Sequence, residues 1–281
     1  MHYDGGMDSK RTETQQPVAL RIADDIRLRI ESGDLREGDS VPTMVELMNA
    51  YGCSSTTARS AVALLKTQGL VTGGRGKAPV VRAAPTRVER SNDRHQFEKD
   101  LVLASEEVRR NRGLAEDDLN SSLDKISFEA RYSFVPADTG LADAFGIPEG
   151  SELFRREYTH KNKQDGKLVA WSISWLLAEF VKQNPDIADP DPSKAAWPGG
   201  TMHQLYTVGV EIDRVIDHVT AAMPTTVEAQ AWDLPDGTPI IWIRRVSIDI
   251  TDRVVEVSDA QYPADRTMLT FHTQLERWDH Q

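Results

Sequence analysis

The apolar residues between Ser54 and Gly69 have the spacing of one side of a helix. At 100° per residue they form a stripe suited to packing on a small core: Ala58, Ala61, Val62 and Leu65. The opposite side carries short hydrogen-bonding groups and one cation: Ser55, Thr56, Arg59 and Ser60. Either Ser54 or Ser55 is suited to cap the start of this helix. The pattern alone fits both an ordinary surface helix and a helix that reads DNA.

Neighbouring patterns place this helix in a larger motif. After Pro17, isoleucines at a spacing of four predict a first helix: Ile22, Ile26 and Ile30. A short helix is predicted over 43–50, and a glycine-containing turn at 51–53 joins it to the helix at 54–69. Two short strands, at 70–72 and 80–82, flank a basic, glycine-rich tip. This order predicts a winged helix-turn-helix, which is typical of DNA-binding proteins.

From Ile126 onward the spacing changes to partial alternation, which predicts strands. Hairpins are predicted over 153–177 and 240–261, short helices at 141–145 and 225–232, and a last strand over 268–278. The predicted fold class is therefore α+β with two domains, an N-terminal winged helix-turn-helix and a C-terminal mixed or antiparallel sheet with helices. The predicted boundaries are a disordered tail at 1–15, the first domain at 16–82, a linker at 83–93 and the second domain at 94–281. The charged stretch 96–120 fits either a solvated helix or a cover over the second domain.

Charge is distributed unevenly over the 281 residues. The formal net charge is −11, yet residues 16–90 hold 11 Lys and Arg against 8 Asp and Glu. This difference favours contact with phosphate by the first domain alone. The single cysteine, Cys53, excludes an intrachain disulfide, and no apolar run reaches membrane-spanning length or the pattern of a signal peptide. We therefore expect a cytoplasmic protein.

Four stretches of the first domain carry motifs of one known family: Val41–Leu47, Tyr51–Arg59, Gln68–Val71 and Gly74–Gly76. Together they resemble the DNA-binding domain of the GntR family of bacterial regulators. The resemblance implies DNA contacts from Thr56, Thr57, Arg59 and Ser60 on the helix, and from Arg75 and Lys77 on the wing. The chain departs from the family by having Val45 and Ser55 where arginine is common, so we expect a different operator preference.

The second domain carries a series of further motifs: Leu153–Arg156, Asp165–Gly166, Ser174–Leu177, Pro224, Glu228–Ala229, Gly237–Pro239 and Val254–Ser258. In this order they resemble the effector-binding (UTRA) domain of the HutC-type branch of that family, which shares the fold of chorismate lyase. The resemblance implies effector contacts from Arg156, Ser174, Glu256 and Tyr262. Arg155 and Arg156 should face opposite sides of the sheet, and we assign the pocket to Arg156. A salt bridge between Arg156 and Glu256 would account for the same two residues without any ligand.

These features together predict a transcription regulator, a repressor whose affinity for a near-palindromic operator is modulated by a polar or anionic effector. The second domain is expected to bind the effector and to form the homodimer. Two alternatives are a lyase-like enzyme built on the C-terminal fold and a dimer that binds DNA independently of ligand. No catalytic triad or paired-carboxylate motif is visible, so we expect no enzymatic activity and no cofactor. The histidines are too scattered for a metal site: His160, His203, His218 and His272.

Overall fold

A computed structural model describes residues 16–73, 78–83, 87–111, 126–163, 166–188, 197 and 199–275. The predicted tail at 1–15 lies outside these residues. The chain divides into two compact units, the first ending at Pro85 and the second beginning at Thr86, with Pro235–Thr238 grouped with the first. Each unit has its own hydrophobic cluster.

The first unit contains three helices and a short hairpin. The helices are α1 (Val18–Glu31), α2 (Met44–Tyr51) and α3 (Ser55–Thr67), and strands β1 (Val71–Thr72) and β2 (Val80–Val81) pair antiparallel. Their shared core includes every residue of the predicted apolar stripe on α3: Ala58, Ala61, Val62 and Leu65. Ser54 caps α3, since its side chain accepts a hydrogen bond from the Thr57 amide at 3.2 Å. The predicted helix-turn-helix is confirmed.

Gly52 forms the turn between α2 and α3. Its φ of +59° lies in the left-handed region, where a residue without Cβ is not strained. The amide of the following residue, Cys53, donates to the carbonyl of Met48. This C-terminal cap ends α2 abruptly, so that Ser54 can begin the next helix.

The second unit is built on a six-stranded sheet. Its strands are β4 (Ile126–Pro136), β5 (Glu152–Asn162), β6 (Leu168–Leu177), β7 (Ile212–Ala222), β8 (Ile240–Asp249) and β9 (Val254–Pro263). They pair antiparallel in the order β4-β5-β6-β9-β8-β7. A separate pair joins β3 (Val88–Ser91) to β10 (Thr267–Thr270) in parallel.

Helices pack on both faces of this sheet. They are α4 (Asp93–Leu101), α5 (Glu106–Asn111), α6 (Thr139–Phe145), α7 (Ala178–Gln183), α8 (Gly200–Tyr206) and α9 (Thr226–Ala231). Phe154 and Leu176 of one face form a cluster with side chains of α7 and α8. Leu153 and Val257 of the other face pack against α6. The predicted α+β class with two domains is confirmed.

Two segments differ from the sequence-based prediction, and a third decides between two alternatives that the sequence left open. Val88–Ser91, within the predicted linker, forms a strand because Thr267–Thr270 offers it a partner about 180 residues later. The last strand ends at Thr270 rather than near 278. In the charge-rich stretch 96–120, α4 covers part of the second unit, since its Glu98 and Leu101 are buried. Residues 112–120 lie outside the described part. Among the described helices, none is long and apolar enough to cross a membrane.

Candidate functional site

The side of α3 that faces away from the core carries three of the six predicted DNA-contacting residues. Thr56, Arg59 and Ser60 are exposed, and so is Ala63 further along the same side. The small alanine leaves room for close approach of a large surface. This face therefore presents two hydroxyl groups and one guanidinium within the first two turns of the helix.

Thr57 lies at the edge of this face and is half-buried. Its hydroxyl is 3.0 Å from the hydroxyl of Ser54, and its amide donates to the same oxygen. The side chain is thus engaged in the cap that begins α3. A capping role explains Thr57 without any contact to DNA.

The start of α2 is held by a capping box. The Glu46 carboxylate accepts from the Thr43 amide at 2.7 Å, and the Thr43 hydroxyl accepts from the Glu46 amide at 3.3 Å. Between them, Val45 is 65% exposed, although valine is an apolar residue. Val45 is the position where the resemblance leads one to expect arginine.

The tip of the wing, including Arg75 and Lys77, lies outside the described residues. The base of the wing is hydrogen-bonded to α3. Lys66, in the last turn of α3, donates from Nζ to the Gly73 carbonyl at 2.5 Å.

A row of polar side chains crosses the sheet of the second unit. Direct cross-strand partners place it on one face, from β5 to β7: Arg156, Ser174, Ser258, Arg245 and Asp217. The neighbouring pair Ser247 and Glu256 lies on the same face. Helices α4 and α8 add four further polar residues: His95, Glu98, Thr201 and Gln204. We call these eleven residues the polar layer.

Arg156 begins the polar layer on β5 and is 2% exposed. Its Nε donates to Ser174 at 2.9 Å and its Nη1 to the side-chain carbonyl of Gln204. Its Nη2 donates to Thr201 at 3.1 Å and to Glu256 at 2.6 Å. Burial by itself lowers the pKa of Arg156, but nearby tyrosines and Glu256 outweigh it and raise that pKa. The guanidinium is therefore permanently charged.

Arg155 faces the opposite side of the sheet, where its Nη2 donates to Glu157 at 2.8 Å. This follows from the alternation of side chains along β5. The structure thus brings together three of the predicted effector residues, Arg156, Ser174 and Glu256. The salt bridge considered as an alternative is present between Arg156 and Glu256.

The second arginine of the layer, Arg245, makes a bidentate pair with Asp217, at 2.7 and 2.8 Å. The His95 Nε2 lies 3.0 Å from Nη2 of the same arginine. Burial lowers the pKa of His95, which favours its neutral form. Burial alone would raise the pKa of Asp217, but the bonds from Arg245 and His95 lower it well below its usual range.

Glu98 of α4 enters the layer from above the sheet and is 5% exposed. It accepts from the Met202 amide of α8 at 3.4 Å, which links the two covering helices. Burial raises the pKa of Glu98, and the field of Arg94 and Arg245 acts in the opposite direction. This carboxyl connects α4 electrostatically to the charged row of the sheet.

Tyr262 is placed apart from Arg156 and Glu256. It lies on the same face of β9 as Glu256 but six residues further along, about 20 Å at the usual rise of a strand. Its ring is half-buried, and the Arg90 guanidinium of β3 lies 4.1 Å above it.

Within the described part of the chain, no group of three potential metal-ligating side chains occurs.

Sequence reasoning missed most of the layer. Arg245 and Asp217 carried a usable signal, since oppositely charged residues on consecutive predicted strands suit a cross-strand pair. Thr201, Gln204 and His95 carried none, because their positions depend on how α4 and α8 pack on the sheet. Their contribution becomes visible only in the folded unit.

Comparison with known proteins assigns both units. Residues 18–81 match the family described as bacterial regulatory proteins, gntR family, and residues 130–267 match the UTRA domain. An HTH-type transcriptional regulator of Streptomyces coelicolor is 28% identical over 251 residues, covering 85% of this chain and 86% of that protein. The mannosyl-D-glycerate transport/metabolism system repressor MngR of Escherichia coli is 23% identical, covering 92% of this chain and 97% of that protein.

A crystal structure of a GntR-family transcriptional regulator has the same fold, with a TM-score of 0.66 at 22% identity. The similarity covers 93% of this chain and 99% of that one. The matched DNA-binding domain therefore precedes the matched UTRA domain, as the sequence motifs predict. The chain belongs to the GntR family of transcriptional regulators, in the HutC-type architecture that joins this DNA-binding domain to a UTRA domain.

Proposed function

We propose that this regulator is a repressor that binds a near-palindromic operator as a homodimer and is modulated by a small polar effector. The observation that carries the proposal is the exposed face of α3, with Thr56, Arg59 and Ser60 opposite a fully packed core stripe. Two relatives named as repressors, MngR and a probable fructoselysine utilization operon repressor of Shigella flexneri, support the direction of regulation. Recognition helices of a dimer would enter successive major grooves about 34 Å apart. The wing residues Arg75 and Lys77 are proposed to add phosphate or minor-groove contacts.

The polar layer of the UTRA domain is the proposed effector site. It gathers polar donors and acceptors from two helices and five strands, and it includes the buried Arg156, Ser174 and Glu256. Buried polar groups are costly unless they are satisfied, so a protein retains a large set of them when they serve recognition or a unique packing. Tyr262 is proposed to line the rim of this site with Arg90 rather than its centre.

Helix α4 is the proposed route from the effector site to the DNA-binding domain. The chain leaves the first unit, forms β3 at Val88–Ser91 and enters α4 at Asp93, which bears His95 and Glu98 in the polar layer. An effector that displaces these two side chains would move the segment that follows the linker. The effector can lower operator affinity only by the factor by which it binds the DNA-free form more tightly than the DNA-bound form.

We also propose that the protein is not an enzyme and acts in the cytoplasm, where a bacterial operator is found. Family membership and relatives named as transcriptional regulators support this proposal. Turnover of a bound effector by the purified protein would contradict this proposal. A specific operator complex that no metabolite alters would instead favour a ligand-independent dimer.

The test of the proposed function is selection of operator DNA from random duplexes by the full chain, followed by footprinting. We expect enrichment of a two-fold symmetric sequence with half-sites one helical turn apart, and a protein dimer on each duplex. Recovery of unrelated sequences with equal, salt-sensitive affinity would contradict it, since that is the behaviour of non-specific phosphate binding.

A further inference from the structure

We infer that the effector of the polar layer is an uncharged, polyhydroxylated molecule rather than a phosphorylated or carboxylated one. This inference rests on the proposed function, which assigns the effector to the layer. A polar layer with two arginines would by itself suggest an anionic ligand, and the inference excludes that class. The reason lies in how those two arginines are already occupied.

Arg156 has little capacity left for an anion. A guanidinium has five N–H groups, and the described contacts of Arg156 use four of them. Bidentate recognition of a phosphate or carboxylate requires two parallel N–H groups. Arg156 could supply them only by breaking bonds to Ser174, Gln204, Thr201 or Glu256.

Its partner Glu256 is itself held in place. Oε2 accepts from Ser247 at 3.2 Å, and Oε1 accepts from Thr201 at 3.2 Å as well as from Arg156. An anionic ligand that replaced this carboxylate would leave it buried without its cation, which is strongly unfavourable. An anion added beside it would place like charges together in a buried site.

Arg245 is neutralised in the same manner by Asp217. Both oxygens of that carboxylate accept from Nε and Nη2 of the arginine in bidentate geometry. Among the described residues, Nη1 of Arg245 has no hydrogen-bond partner, so it can still donate to a ligand oxygen. Its charge, however, is already compensated by a carboxylate that is 17% exposed.

The capacity that remains suits hydroxyl groups. In the described part of the chain, the Ser174 hydroxyl accepts from Arg156 but has no acceptor for its own proton, and the Gln204 amide nitrogen has no acceptor either. Ser258, between Ser174 and Arg245 in the row, can both donate and accept. Ligand hydroxyls can accept from these donors and donate to Ser258, without adding net charge.

The experiment compares matched uncharged and anionic probes on the full chain. Hexoses, hexitols and disaccharides are tested by thermal shift and calorimetry beside their 6-phosphates and the corresponding sugar acids, with inorganic phosphate alone as a further probe. We expect saturable binding of an uncharged probe, at least tenfold tighter than its anionic counterpart, and no saturable binding of inorganic phosphate. Glu256→Gln, which removes the competing charge from Arg156, should gain phosphate binding.

Two results would overturn the inference: an anionic probe that binds the wild type as tightly as its uncharged counterpart, or a panel in which no uncharged probe binds. The wild-type comparison decides the matter even if Glu256→Gln does not fold. Operator selection is measured separately on the same preparation. If operator selection shows no sequence-specific DNA binding, the proposed function is contradicted. The comparison of uncharged and anionic ligands can still be interpreted.

Discussion

Arg156 and Glu256 form an ion pair across the strand that separates them. Nη2 of the arginine on β5 lies 2.6 Å from Oε1 of the glutamate on β9, and β6 runs between the two strands. Ser174 on that middle strand accepts from Nε of the same arginine. Residues on three strands are thus joined by one guanidinium, at the point where α8 covers the sheet.

Breaking this pair is expected to destabilise the second unit. Glu256→Ala leaves a buried arginine without its counter-charge, which typically costs about 3–5 kcal/mol of unfolding free energy. Tryptophan fluorescence in urea follows this unit selectively, because all six tryptophans lie at or after residue 171. The control is the double substitution Arg156→Met with Glu256→Leu, which should recover most of the loss. An equal loss in both proteins would contradict a role for the unpaired charge.

The Arg245–Asp217 pair is expected to make the free energy of unfolding depend on pH. The pKa of Asp217 is lower in the folded protein than its usual value of about 3.9, so the pair stabilises fully above that value. The stabilisation begins to decline as pH falls past that value, because the unfolded chain then takes up a proton, and it is fully lost only below the lowered pKa of the folded protein. We expect the difference in unfolding free energy between wild type and Asp217→Asn to shrink between about pH 5 and pH 3. A difference that stays constant over this range would show that Asp217 does not titrate as described.

The cap of α3 is expected to depend on Ser54 and not on Ser55. Ser54→Ala removes the acceptor of the Thr57 amide, which typically costs about 1 kcal/mol. Hydrogen exchange at the first turn of α3 should then become roughly fivefold faster. Ser55→Ala is the matched control and should change exchange little. Equal acceleration of exchange in both variants would contradict the assignment of the cap to Ser54 alone.

Val45 offers a test of operator preference. It is 65% exposed at the start of α2, so Val45→Arg places a long cation there without disturbing the core. We expect the variant to prefer operators with guanine at a position where the wild type is indifferent, by about 1–3 kcal/mol. Repeating the operator selection with both proteins measures this. An unchanged selected sequence would mean that the start of α2 does not reach the bases.

Local patterns were sufficient for the first unit, because its helices are set by apolar spacing and caps that are close in sequence. The stripe ending at Leu65 predicted the buried side of α3 correctly. The second unit was less accessible, since its polar layer depends on register between distant strands. β3 was missed because its partner β10 is about 180 residues away. The buried Glu98 of α4 was hidden in a charge-rich segment that resembles a solvated helix.

The central claim is that α3 reads the operator through the face that carries Arg59. The direct measurement is the affinity of Arg59→Ala for the selected operator at physiological salt, beside the matched control Arg27→Ala. Arg27 is a partly exposed arginine of α1, 3.6 Å from Glu31. We expect Arg59→Ala to lose specific binding while the dimer stays folded, and Arg27→Ala to bind nearly as wild type does. Wild-type affinity of Arg59→Ala for the operator would contradict the account.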